Sequence, residues 1–269
     1  MSQTADATGQ FPASIAPFRS NPAAFLVVMT ATITPAEGVT LVRADPAVRK
    51  QDYLRALRFW LDQRDPRLGK ILFLENSGAP LDDFEVLADG SGKPVEFISV
   101  PPTPIPAGLH YDYAEVKMLE YGLARSELWK DSSIMIKATG RLRFPGIAEL
   151  LDRLPGDLEI AVDCRNRGRL FGGKRGFVPT QLFLVGKEFY HSHIETCYER
   201  MTPTDYLELL IYDELNALPK SRRRVLRWPV SVEPEGFAAH TSKQYNSPGR
   251  RAVVLVRKVL RTVAPWYWF

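Results

Sequence analysis

The sequence predicts an α/β fold in which a mostly parallel central sheet is flanked by helices. Three observations carry this. β-prone runs recur along the chain, segments with helical apolar spacing lie between them, and polar side chains gather where the runs end. AAFLVVMTATITP (23–35) is a continuous β-prone run closed by Pro35 and reads as a buried first strand. In RADPAVRKQDYLRALRFWLDQ (43–63), Tyr53, Leu54, Leu57, Trp60 and Leu61 recur at helical spacing behind an Asp45-Pro46 start. KILFLENSGAP (70–80) is a strand from Ile71 to Leu74 and then a turn, and PVEFISVPP (94–102) is a third strand stopped by prolines. YDYAEVKMLEYGLARSELWKDS (111–132) reads as one helix with Val116, Leu119, Leu123 and Leu128 inward. SIMIKATGRLRF (133–144) begins as a strand, and GIAELLDRL (146–154) is a short helix. LEIAVDCR (158–165) is a strand followed by a Gly/Arg loop at 166–176. TQLFLVGKEFYHSHI (180–194) starts as a strand, and PTDYLELLIYDELNAL (203–218) is a helix.

A composition 45% hydrophobic and 25% charged is that of a globular chain able to bury a core. No run of about 18 apolar residues is present, so no transmembrane helix is expected. Residues 1–22 lack a cationic start and an apolar core, which reads as a mobile tail rather than a signal peptide. Cys164 and Cys197 make neither a disulfide framework nor a metal knuckle, and a cytoplasmic location is expected. Residues 23–249 then form the single domain.

The charge is uneven. Residues 219–269 hold eleven Lys/Arg against two Glu, and the rest of the chain holds 24 basic against 29 acidic side chains. Within 250–269, Ala252, Leu255, Val256, Val259, Leu260 and Val263 follow helical spacing, and Arg250, Arg251, Arg257, Lys258 and Arg261 take the other side. Pro265 ends this helix before Trp266-Tyr267-Trp268-Phe269. A basic amphipathic helix with terminal aromatics reads as a peripheral anchor on an anionic membrane surface, or else as a helix packed on its own domain. A grip on nucleic acid is a third use of these cations, but no nucleic-acid motif accompanies them and none is expected as partner.

In open sheets of this class, ligands bind beyond the carboxyl ends of the strands. The residues there are Thr30, Thr32 and Thr34 after the first strand, Glu75-Asn76-Ser77 after the second, Lys137 to Arg141 in the middle of the chain, and Asp163-Arg165 later. Each has a bland alternative: strand filling for the threonines, a plain turn for Glu75-Asn76-Ser77, and a sheet-end ion pair for Lys137 and Arg141. Arg43, Asp45, Arg49 and Asp52 form either a charged cluster at the site mouth or a solvated helix start capped by Asp45. His191 and His193 lack further ligands at metal spacing, and Cys164 reads as a buried thiol.

LVVMTATITP, RADPAVRKQDYLRAL, KILFLENSG, AEVKMLEYGLARSELWKDSSIMIKATGRLRF and TQLFLVGKEFY, in that order, resemble nucleotide-sugar-dependent glycosyltransferases of GT-A-like type that build bacterial surface polysaccharide. The resemblance spans residues 23–218. The Gly-Lys-Gly-Tyr-Gly-Glu helix start associated with this group is replaced by Ala107-Gly108-Leu109-His110-Tyr111-Asp112-Tyr113-Ala114-Glu115. It implies a GT-A-like fold, a nucleotide-sugar donor and a lipid-linked or polysaccharide acceptor. It also implies that the polar loop at 240–245 completes the donor pocket with His240, Ser242, Lys243 and Tyr245.

GT-A enzymes hold a metal with Asp-x-Asp, whereas here the strand reads IKATGR and the acidic pair of note, Asp82-Asp83, falls in a loop. Cations can neutralise a diphosphate directly, with Arg reaching two oxygens. A metal-independent site is therefore expected, with no cofactor, in which Lys137, Thr139 and Arg141 hold the donor and Gly140 lets backbone approach it. Thr32, Glu75, Asn76, Ser77 and Arg165 complete the expected donor contacts. The acceptor proton needs a base, for which Asp163, Glu115 and Glu208 are the candidates in that order. The alternative is an inactive relative or a binding module using the basic C-terminal segment.

Overall fold

The computed structural model describes residues 21–35, 41–166, 176–238, 244–245 and 248–263. In chain order the elements are β1 (Phe25–Ala31), α1 (Pro46–Leu61), β2 (Ile71–Glu75), α2 (Asp82–Asp89), β3 (Val95–Ser99), α3 (Asp112–Leu123), α4 (Glu127–Lys130), β4 (Ile134–Thr139), α5 (Ile147–Leu151), β5 (Ile160–Ala161), β6 (Leu182–Gly186), α6 (Lys187–Phe189), α7 (Leu207–Ala217), β7 (Arg224–Val225) and α8 (Pro248–Val263). The sheet has seven strands in the order β3-β2-β1-β4-β6-β5-β7. β3, β2, β1 and β4 run parallel, as do β5 and β7, while β6 is antiparallel to both its neighbours.

Every residue of β1 is buried, because the sheet is covered on both faces. Phe25, Val27, Met29 and Ala31 pack with Tyr53, Leu57 and Trp60 of α1, Phe84 of α2 and Leu150 of α5. Leu26 and Val28 point the other way, into a core with Val116 and Leu119 of α3 and Ile211 of α7. The uniform apolar run in the sequence is thus two alternating sets, each assigned to its own helical layer. The result is a three-layer domain.

Several expected elements differ in their extent. The single helix over 111–132 is two, because Ser126 accepts from Trp129 N at 3.0 Å and restarts the chain as α4. Glu96 of β3 fixes that restart by accepting from Ser126 Oγ and from Glu127 N. Asp82 and Asp83 do not lie in a loop; they open α2, where acidic side chains suit the positive end of the helix dipole, and Asp83 pairs with Lys50 at 2.6 Å. The 158–165 strand narrows to β5, and the segment after β6 turns helical at Lys187. His191 and His193 therefore sit on a π-helical turn, paired at 2.9 Å with Glu195 and Glu214 respectively. Cys164 is buried, and that burial pushes its thiol pKa up. No helix among the described residues is long and apolar enough to cross a membrane.

Gly140 serves packing rather than ligand approach. Its N–H donates to Thr30 O at 2.9 Å as the chain leaves β4, and a Cβ there would stand 2.7 Å from that oxygen and 3.2 Å from the Tyr53 ring. Both neighbours are held in the core, so the backbone itself must yield. Gly140→Ala is expected to cost about 1–3 kcal/mol. Thermal unfolding should show a loss of about 2–4 °C for each kcal/mol. An unchanged melting point would mean that the chain leaving β4 is looser than this contact implies.

Candidate functional site

Parallel pairing brings the carboxyl ends of β1, β2 and β4 to one edge of the sheet. Thr30 lies opposite Thr139 on one side and Leu74 on the other, and Ala31 lies opposite Glu75. Above this edge is a cleft of about 590 Å³, inside the size range of small-molecule sites. The first turns of α3 and α7 bring Asp112, Glu115 and Glu208 to its wall. Hydroxyls of Thr30, Thr32, Thr139 and Thr180, the amides of Asn76 and Gln181, and the rings of Tyr53, Tyr111 and Tyr245 supply the rest of the surface used below.

Lys137 forms part of the support for the cleft. Its side chain is fully buried, and its Nζ lies 2.7 Å from Glu115 Oε1 while donating to Thr180 O at 2.7 Å. Glu115 Oε1 also accepts from Thr30 Oγ1 at 2.8 Å. One ammonium therefore ties together β1, α3, β4 and the turn that enters β6. The sheet-end ion pair is the reading that matches this placement, because Lys137 does not line the cleft. Glu115 is reserved by the same contacts, although its carboxylate keeps an edge on the cleft.

The loops after β1 and β2 are braced from below. Tyr53 accepts from Thr32 N at 3.0 Å, and Arg49 donates to Thr32 O through Nε at 2.8 Å and Nη2 at 2.6 Å. Thr32 Oγ1 is left to donate to Asn76 Oδ1 at 2.6 Å. Glu75 is wholly buried and gathers the turn: it accepts from Ile33 N at 3.1 Å, from Ser77 N and Oγ, and from Ala79 N at 3.2 Å. It organises the loop and presents no oxygen to a ligand. Asn76 and Ser77 line the cleft as expected residues at a strand end. Arg43 forks onto Asp52 and lies over the Phe237 ring at 4.1 Å, while Asp45 caps α1 by accepting from Val48 N.

Glu208 is the carboxyl whose chemistry is most altered. Burial and then the neighbouring Asp112 push its pKa up to about 7, against the Thr180 N–H, which donates to Glu208 Oε1 at 3.4 Å. Asp112 is buried and lies 3.1 Å from His110 Nδ1, and this contact raises the pKa of the imidazole. The ring lies tilted against Tyr111, with centroids 3.8 Å apart, and against Tyr206, at 4.9 Å. A carboxyl poised near neutrality in a cleft is suited to taking and returning a proton.

Arg141 supplies positive charge to the same cleft. It lines the cleft, its Nε is buried without a hydrogen-bond partner, and it enters no ion pair among the described residues. Arg49, the other cleft-lining arginine, is engaged with Thr32 O and Tyr53. Asp163 and Arg165 do not line the cleft; they pair with each other at 3.4 Å, and β6 separates their strand from β4. Tyr245 reaches the cleft, whereas His240, Ser242 and Lys243 lie outside the described residues. Asp112, Thr180 and Gln181 were not singled out from sequence as site residues, and Tyr53 was read only as a position of helical spacing. The available signal for two of them was a polar group on the buried side of a helix.

The fold family implies a divalent metal, and the donor set does not fit one. The carboxylates that line the cleft are Asp112, Glu115 and Glu208, and Asp112 pairs with His110. Glu115 is engaged by Thr30 and Lys137, and no group of three metal-ligating side chains forms among the described residues.

No protein-family model matches the sequence, and no curated protein matches it by sequence. Solved structures do. Core-mannan synthase A from Aspergillus fumigatus in its Mn/GDP form is similar at 7% identity with a TM-score of 0.50, covering 91% of this chain and 87% of that one. The mannosyltransferase Ktr4p from S. cerevisiae is similar at 10% identity and a TM-score of 0.42, covering 70% of this chain and 62% of that one. A cytidylyltransferase from Leptospira borgpetersenii is similar at 13% identity and a TM-score of 0.41, covering 72% of each chain. With the sheet order above, the Aspergillus match shows a GT-A-like fold.

Two outcomes follow from this geometry. Glu115→Ala strands a fully buried ammonium, whereas Lys137→Met leaves a carboxylate that still meets water. The first should cost about 3–5 kcal/mol and the second distinctly less in urea unfolding. Equal losses would show that the pair acts as one unit. For Glu208, the unfolded chain loses the proton near pH 4.5 and the folded chain near 7. Stability therefore falls as pH rises between these values and stays lower above them. Glu208→Gln should raise stability over the parent at pH 8 and change it little at pH 4.5. A gain that is equal at both pH values would contradict the raised pKa.

Proposed function

We propose that the chain is a glycosyltransferase that binds a nucleotide-sugar in this cleft and passes the sugar to a glycan acceptor. The observation that carries the reading is Arg141: a cleft-lining guanidinium with a buried, unsatisfied Nε, in the same cleft as threonine hydroxyls and a carboxyl of raised pKa. An unpaired buried donor is costly, and an anion that accepts from it removes the cost. A diphosphate provides such an anion, and an arginine meets it in a forked geometry. Threonine hydroxyls, side-chain amides and tyrosine rings match a polyhydroxylated ligand carrying an aromatic base.

In this reading Glu208 takes the proton of the acceptor hydroxyl. The acceptor oxygen bonds to the sugar's anomeric carbon as the bond from that carbon to the phosphate oxygen breaks. The nucleoside diphosphate leaves with the electron pair, and Arg141 rather than a metal meets its charge. Asp112 and His110 shape the field around Glu208, and Glu115, Lys137 and Glu75 hold the walls. The similarity to GT-A-like structures and the ordered resemblance to surface-polysaccharide enzymes support a nucleotide-sugar donor and a lipid-linked or polysaccharide acceptor.

The test is a thermal-shift panel of UDP-, GDP-, CMP- and dTDP-sugars, each with and without Mg²⁺ or Mn²⁺. A donor at about 100 times its Kd should add about 2.7 kcal/mol of stability. One nucleotide class should stabilise the chain without metal. Arg141→Met should weaken that donor by about tenfold or more, since a charged hydrogen bond contributes about 1.5–3 kcal/mol. Stabilisation only with metal would transfer the diphosphate to ligands other than Arg141, and silence across the panel would remove the donor reading.

A further inference from the structure

The expected amphipathic helix is present as α8, and its apolar side is turned away from the domain. Leu255, Val256, Val259 and Val263 are 64%, 49%, 53% and 62% exposed. At 3.6 residues per turn they share an arc of about 100°. Arg257 projects from the other side of the helix; it is buried and pairs with Glu233 at 3.3 Å. The domain thus holds α8 by a polar contact, and the stripe that burial would favour faces solvent. A helix packed on its own domain would show the reverse.

The charge of the segment selects the occupant. The helix sequence carries five Arg/Lys and no acidic residue. A second copy would bring the same cations against these, and like charges oppose that contact. Nucleic acid would meet the cations but leave the apolar stripe in water. An anionic lipid surface satisfies both, with aliphatic side chains entering the acyl boundary and cations meeting headgroups. We infer that α8 docks the protein on an anionic membrane surface through the Leu255–Val256–Val259–Val263 stripe. Tyr245 lines the cleft and α8 begins at Pro248, so at most about 10 Å of chain separates them. This inference rests on α8 alone and stands apart from the donor reading.

The experiment is flotation of the full chain with vesicles of phosphatidylcholine alone and of phosphatidylcholine with phosphatidylglycerol at 3:1. The protein should float with the anionic vesicles, less in high salt, and remain behind with the neutral ones. Leu255→Asp with Val259→Asp should lower the floated fraction by about tenfold or more. Both sites are exposed, so the melting point should not move, and Val263→Asp gives an independent second variant. No flotation, or flotation indifferent to all three substitutions, overturns the inference. A parent dimer in sedimentation that the substitutions dissociate, without vesicle binding, assigns the stripe to a second copy and overturns it as well.

Discussion

The buried ammonium of Lys137 is the constraint on which the cleft depends. A charge with no exposure to water must find compensation inside the protein, because leaving it unpaired costs several kcal/mol. Glu115 and Thr180 O supply that compensation from a helix and from the turn entering β6. Each is thereby placed to within a hydrogen bond. Thr30 completes the arrangement from β1 by donating to the same Glu115 oxygen, so three elements that surround the cleft are linked through the Lys137–Glu115 pair. The Thr180 peptide then extends the order outward, since its carbonyl faces Lys137 and its N–H faces Glu208. The carboxyl most suited to proton transfer is thus indexed to the same lysine.

The distribution of charge over the cleft follows from which groups are already satisfied. Lys137, Arg49, Glu75 and Glu115 are engaged internally and act as struts. Asp112 pairs with His110, and Glu208 and Arg141 are left without an ion-pair partner among the described residues. Burial and then the neighbouring Asp112 raise the pKa of Glu208, because a negative charge is unfavourable in a poorly hydrated wall and more so beside another. Arg141 cannot neutralise itself in the same way, since a guanidinium keeps its proton. The unsatisfied donor therefore persists, and an anion is the ligand that would relieve it.

Much of the fold is legible in the sequence, and the site only in part. Buried strands such as β1 and β2 announce themselves by unbroken apolar runs, and α1 does so by its spacing and its Asp45-Pro46 start. α2 escapes because eight residues beginning with two acids look like a polar turn until the helix dipole is considered. The role of Lys137 could not be read locally. Its partner Glu115 lies on another element, and a lysine in a strand has the same pattern whether it meets a ligand or a carboxylate. Asp163 and Glu208 each adjoin an apolar run, and nothing in the chain tells them apart. The strand order decides, because β6 separates β5 from β4 while the start of α7 reaches the cleft. Arg141 was legible since it follows a strand end by two residues, where side chains escape the sheet.

The uneven charge of the chain gains meaning from the exposed stripe on α8. The body carries 24 basic and 29 acidic side chains outside the last 51 residues, and those residues hold eleven basic against two acidic. An anionic surface attracts one end of such a molecule and weakly repels the other, over a screening distance of about 8 Å at physiological salt. Attraction alone would orient the protein only loosely. The apolar stripe adds a contact that acts at shorter range and in one direction, so the two together define an attitude as well as an affinity. With Arg257 pinned to Glu233 behind the helix, that attitude is passed to the domain rather than absorbed by the linker.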